Sequence, residues 1–133
     1  MDLIYANAEK EDVGVMKNFT FDLAFGDDEN SFELTTNTNN HVCAAGFILY
    51  MEGTEYGGKV DKVRVATAND EIVYIGRTWH GILASKIIEP DAGEDYLVCS
   101  GEANAVIGEL LSRLGLSDLF NASAENSTLT IVY

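Results

Sequence analysis

The chain has little positive charge. Eight Lys and Arg stand against 22 Asp and Glu among 133 residues, a formal charge of -14. Such a surface repels a phosphate backbone, and no basic stripe reverses the effect locally, so DNA and RNA are not expected partners. An anionic membrane surface is disfavoured on the same ground. Long apolar runs are missing as well. None approaches the roughly 20 residues of a membrane-spanning helix, and the N-terminus lacks the basic and apolar regions of a secretory signal. Cysteine is scarce: Cys43 and Cys99 both sit in apolar surroundings and neither belongs to a C-x-x-C pair. Two cysteines make no disulfide framework, and they read as buried thiols acting as small hydrophobes.

Chemistry-bearing motifs are also absent. His41 falls in the Asn-rich stretch T-N-T-N-N-H, and His80 follows Trp79 in a helix pattern without an i+4 histidine or an H-E-x-x-H context. Both read as surface or structural residues. No G-x-S-x-G, Rossmann or Walker pattern occurs. Carboxylates are so abundant that no pair stands out for glycosidase chemistry. Asp27, Asp28, Glu29 and Asn30 could offer oxygens to calcium, but the spacing of a calcium loop and its distal Glu are missing, and a solvated turn is expected. Glu89, Asp91, Glu94 and Asp95 make a second acidic loop, whose charge would orient a basic neighbour. Three N-glycosylation patterns, at Asn18, Asn121 and Asn126, are read as chance matches. The sequence therefore assigns no catalytic, cofactor-binding or metal-ligating residue, and no enzyme is expected.

What is present is a core. Apolar residues make up 47% and aromatics 10%, enough for one ordinary domain over residues 1–133. Leu3–Tyr5 reads as a first strand. In V-G-V-M-K-N-F-T-F-D-L-A-F, Val13, Val15, Phe19, Phe21, Leu23 and Phe25 occupy odd positions, with a turn or bulge expected at Lys17 and Asn18. Phe32 and Leu34 resume the alternation, so the two segments form a hairpin. F-I-L-Y-M reads as a central strand. K-V-D-K-V-R-V-A-T and E-I-V-Y-I-G form a meander through Asn69-Asp70, with Asp61, Lys62 and Arg64 on an outer strand.

Two helix patterns follow. The first covers 78–88, with Trp79, Ile82, Leu83 and Ile87 on one face, Thr78 as cap and Trp79 as a core anchor. Gly81 marks a close backbone approach. The second covers 101–114, with Ala103, Val106, Ile107, Leu110, Leu111 and Leu114 at helical spacing, Ser100 as cap and Gly115 as the stop. Y-L-V-C between them is strand-like, L-S-D-L-F is a helical turn, and T-L-T-I-V-Y is a final strand. The expected fold class is α+β, an antiparallel barrel-like or meander domain covered by two short helices. Ending on Tyr133, inside a strand pattern, suggests a piece of a longer polypeptide.

The segments F-D-L-A-F-G-D-D-E-N-S-F-E-L (21–34), G-G-K-V-D-K-V (57–63), Y-I-G-R-T-W-H-G-I-L (74–83) and K-I-I (86–88) resemble, in order and spacing, the N-terminal region of the Gp37-like siphovirus tail protein family. Its members are similar to baseplate hub and tail-tip proteins of phages and prophages. The resemblance implies a hub-like structural domain that contacts neighbouring tail subunits, a homotrimer in the full-length protein, and a location in the virion tail after assembly in the bacterial cytoplasm. It carries over no catalytic residue and no cofactor. A different class, a host-surface carbohydrate-binding module, would place exposed aromatics such as Tyr50, Tyr56 and Tyr74 in one groove. A small hydrolase would need a concave site with strongly shifted ionisable groups.

Overall fold

The computed structural model describes residues 1–26 and 29–132. They cluster into two compact units, Met1–Ser85 and Lys86–Tyr133.

The first unit is an antiparallel sheet. Its strands are β1 (Leu3–Ala6), β2 (Asp12–Met16), β3 (Phe19–Ala24), β4 (Ser31–Thr36), β5 (Ile48–Met51), β6 (Gly57–Ala66) and β7 (Glu71–Thr78), followed by α1 (Trp79–Ala84). The order across the seven strands is β2-β1-β5-β6-β7-β4-β3. β2 and β3 are therefore the two outer strands, although only Lys17 and Asn18 separate them in sequence. Three Cα–Cα steps span no more than about 11 Å, so the sheet must roll until its ends meet at that corner. Asn18, with φ 58, makes the turn.

The core confirms the rolling. Leu3 and Met16 from one end pack in the same buried cluster as Phe32 and Leu34 from the other, with Leu49, Val60, Ile72 and Tyr74 between them. Phe21 meets the Phe32 ring edge-on at 5.4 Å. Among the described residues no ladder joins β2 to β3, so the sheet is rolled but open, and closed-barrel pairing is not seen.

The expected hairpin of Phe21 and Leu23 with Phe32 and Leu34 is present as β3–β4. The break at Lys17–Asn18 is also present, but it separates two strands at opposite ends of the sheet. It also reverses the parity: Met16 takes the core position, at 2% exposure, while Val13 and Val15 stand 55% and 46% exposed. β5, β6 and β7 form the expected meander. β6 is the middle strand of the sheet, however, so Asp61, Lys62 and Arg64 do not lie on an outermost one. Asp70 turns the chain into β7 with φ 51.

Two glycines let β6 and β7 come together. A Cβ on Gly58 would lie 2.0 Å from the Arg77 carbonyl oxygen, and one on Gly76 would lie 2.1 Å from that of Lys59. Thr78 caps α1 as expected, accepting from the Gly81 N–H at 3.3 Å. Gly81 has the close approach expected of it, its missing Cβ falling 2.1 Å from the Asn30 carbonyl oxygen. The helix ends at Ala84, well short of residue 88. Ile87 is 81% exposed, and Ser85 halts the helix by turning its hydroxyl back to the Ile82 carbonyl at 2.8 Å.

The second unit holds β8 (Ser100–Glu102), α2 (Ala103–Arg113) and β9 (Thr130–Val132), with β8 and β9 antiparallel. α2 packs on both strands. Glu102 caps it instead of Ser100, because the helix begins at Ala103 and the Glu102 carboxylate accepts from the Ala105 N–H. The stop at Gly115 stands: Gly115 N–H bonds to Ser112 and Leu116 N–H to Leu111, the Schellman arrangement, with Gly115 at φ 67. The stripe is narrower than its spacing suggests, since Ala103 and Val106 are buried while Ile107 is 44% exposed. Y-L-V-C is not a strand, and Tyr96 and Val98 are exposed. Leu116–Phe120 is a helical turn closed by Phe120 N–H to the Leu116 carbonyl. Tyr133 lies outside the described residues.

Candidate interaction surface

The two faces of the rolled sheet follow from its pleat. Leu3, Tyr5, Leu49, Met51 and Met16 point to or pack on the core, so the residues between them point away. Val15 pairs with Ile4, Ile4 with Tyr50, and Tyr50 with Gly57. Cross-strand neighbours on one face lie about 5 Å apart, which makes these residues a continuous row. The row ends under α1, for a Cβ on Gly57 would meet both the Tyr50 Cβ at 2.8 Å and the Trp79 ring at 2.9 Å. Trp79 thus lies half-buried over the outer face and is not a member of the core cluster. Ala6 and Ile48, paired to each other, share that parity but are buried at 3% and 8% exposure, so the accessible row is that of Val15, Ile4 and Tyr50. This half of the sheet is apolar on both sides. It finishes at β2, an edge strand whose described ladder partner is β1 alone.

Tyr50 is held in place by its hydroxyl, which donates to Asp12 Oδ1 at 2.8 Å. That bond, ahead of burial and the charges of Asp12 and Glu52, pushes the Tyr50 phenol above its usual range.

Near the corner, polar groups close the roll. The buried Tyr74 hydroxyl donates to the Asn40 carbonyl and accepts from Val42 N–H at 3.1 Å. Asn40 Nδ2 donates to the Lys17 carbonyl at 2.8 Å, and the Thr36 hydroxyl donates to that of Asn18 at 2.9 Å. The Asn-rich loop is thus a clasp over the turn between β2 and β3. Burial, its largest cause, raises the Tyr74 phenol despite bonds from the Val42 and Cys43 amides. Nothing in E-I-V-Y-I-G announces this role, since its partners lie more than 30 positions away.

A shallow groove of about 480 Å³ lies between Asn30, Arg77 and Ser85. Arg77 is already engaged, with two bonds of 2.8 Å to Asp61 and one of 3.2 Å to Ser85 Oγ. In the second unit a groove of about 530 Å³ runs along Asp91–Val98, with Arg113 forking onto Asp91 at 2.9 and 3.0 Å. That pairing holds the Asp91 carboxyl below its usual range. Asp91 and Glu94 of the expected acidic loop are joined by a backbone bond, Glu94 N–H to the Asp91 carbonyl.

The remaining candidates are scattered. His80 meets the Phe25 ring edge-on at 5.5 Å. His41 ends the short 3-10 turn of Thr38–Asn40. Cys43 and Cys99 are buried free thiols, one in each unit. Burial pushes Cys43 up to about 12, far from a reactive thiolate. Burial, followed by Glu109, raises Cys99. Tyr74 is wholly buried, while Tyr56 is 39% exposed in a turn with Gly53–Glu55, so Tyr50, Tyr56 and Tyr74 share no groove. Asp27 and Asp28 lie outside the described residues. Among the described residues, no three His, Cys, Asp or Glu gather as metal ligands, and no helix is long and apolar enough to cross a membrane. No family model, curated protein or solved structure matches the chain.

Proposed function

We propose that the chain is a non-enzymatic assembly module of a phage or prophage tail, a baseplate-hub or tail-tip domain resembling the Gp37-like proteins. The observation that carries this reading is the apolar outer row of Val15, Ile4 and Tyr50, which runs from Trp79 to β2, an edge strand with no second ladder partner among the described residues. An apolar sheet face that ends at an open edge is suited to association by strand addition or face packing. The rolled sheet is compatible with the barrel-like hub domain expected from the resemblance. In this reading the chain is the N-terminal part of a longer polypeptide that trimerises around the tail axis, and its loops and edges meet other tail subunits.

Light scattering tests the proposal. The chain of 133 residues is expected to be monomeric at low concentration, and a longer polypeptide containing it is expected to be trimeric. Monomers from both across a wide concentration range would overturn the reading.

A further inference from the structure

Resting on that assembly reading, we infer that the edge of β2 and the apolar row beside it receive an extended, cationic segment of a different protein rather than a second copy of this chain. The site has an apolar middle, an acidic end at the start of β2, and acids on the inner strands at the other end. Val15, Ile4 and Tyr50 form the middle. At one end of the strands lie Asp2 and Glu52, joined by the Glu52 N–H to the Asp2 carbonyl at 3.0 Å. Glu11 and Asp12 lie at the other end, and all four acids are exposed. Lys10 and Lys17 are the basic residues on the same segments, Lys17 next to the Asp2 end, and the cationic preference follows from Glu11, Asp12 and the -14 of the whole chain.

A strand laid against β2 would continue the ladder with its backbone and set apolar side chains beside Val15. A lysine or arginine near the end beside Glu11 and Asp12 would meet those acids first, which fixes its direction. A second copy brings another -14 of charge to the same face, and like charges brought together oppose association. The opposite edge does not offer the same site. β3 turns Thr20 and Asp22 outward, next to Thr35 and Glu33 of β4, so no apolar row reaches it.

The test uses the whole chain and fluorescence anisotropy with a short labelled peptide of alternating Val and Thr flanked by lysines at both ends. A matched peptide flanked by glutamates is the control. Saturable binding of the lysine peptide, weakened about tenfold by Val15→Lys and by Asp12→Asn but not by Thr20→Lys on β3, is the expected result. Because Val15 and Thr20 are exposed, circular dichroism is expected to show both variants folded, so a lost signal reports the edge. Equal binding of both peptides, or binding indifferent to Val15→Lys, overturns the inference. So does no binding while the longer polypeptide still trimerises, an outcome that leaves the assembly reading intact.

Discussion

The two halves of the rolled sheet share one core and differ in the face turned away from it. On the β3-β4-β7 side and the adjoining part of β6, the outward residues include Asp22, Glu33, Lys62 and Arg64, with Arg64 reaching Glu33 at 3.7 Å. Val73 and Ile75 lie among them. On the β2-β1-β5 side, Val15, Ile4 and Tyr50 face outward and keep some exposure, while Ala6 and Ile48, of the same parity, are buried. A sheet with one wet face alternates polar and apolar residues, and β3 and β4 follow that rule, whereas β7 is buried at Ile72, Val73 and Tyr74 in succession. The second half departs from it where the sheet has a free edge. Apolar surface that folding has not covered is the cue for a partner.

If the halves share a core, truncating it on either side should cost about the same. Leu49→Ala in the apolar half and Leu34→Ala in the polar half, both fully buried, are expected to lose about 2–5 kcal/mol each in denaturant unfolding. A negligible cost on one side would mean separate cores. The clasp between the ends comes next. Tyr74→Phe strands the Val42 amide and the Asn40 carbonyl and is expected to cost about 1–3 kcal/mol. Amide exchange should then quicken first at Lys17–Thr20.

Much of this was legible in the residues, but not the part that places the surface. The parity of Phe19, Phe21 and Leu23 against Phe32 and Leu34 is local, and a hairpin needs only neighbours. The break at Lys17–Asn18 was visible too. That it joins opposite ends of a sheet depends on pairings such as Leu3 with Met51 and Thr36 with Ile72, which no local window contains. The same missing pairings hid the outward turn of Val15. Helix lengths erred because Ser85 and Glu102 act through side-chain bonds to backbone, while apolar spacing alone ran past both ends.

In the second unit, Glu102 sharpens the contrast, because a carboxylate joins its segments alongside the packing of Ala103, Val106 and Leu116. Glu102 accepts from the hydroxyl and N–H of Ser127, and from Ala105 N–H at 3.0 Å. The Ser127 bonds come first in holding its carboxyl at about 2, against an ordinary 4.5. The folded pKa is lowered, so this stabilisation is complete above the ordinary value and is lost as pH falls from about 4.5 toward about 2. Exchange of the Ser127 amide should rise across that window, and Glu102→Gln should remove the pH dependence. The smallest effects belong to the outer faces. Arg64→Ala is expected to change stability by about 0–1 kcal/mol, and Val15→Lys by no more than about 0.5 kcal/mol. A large loss of stability from Val15→Lys would make that residue part of the core and not of a contact surface.

The most direct measurement is hydrogen exchange on the two edge strands, with and without the lysine-flanked peptide. The account predicts slower exchange at Asp12–Met16 and no change at Phe19–Ala24. Equal protection of both edges, or protection of β3 alone, would contradict it.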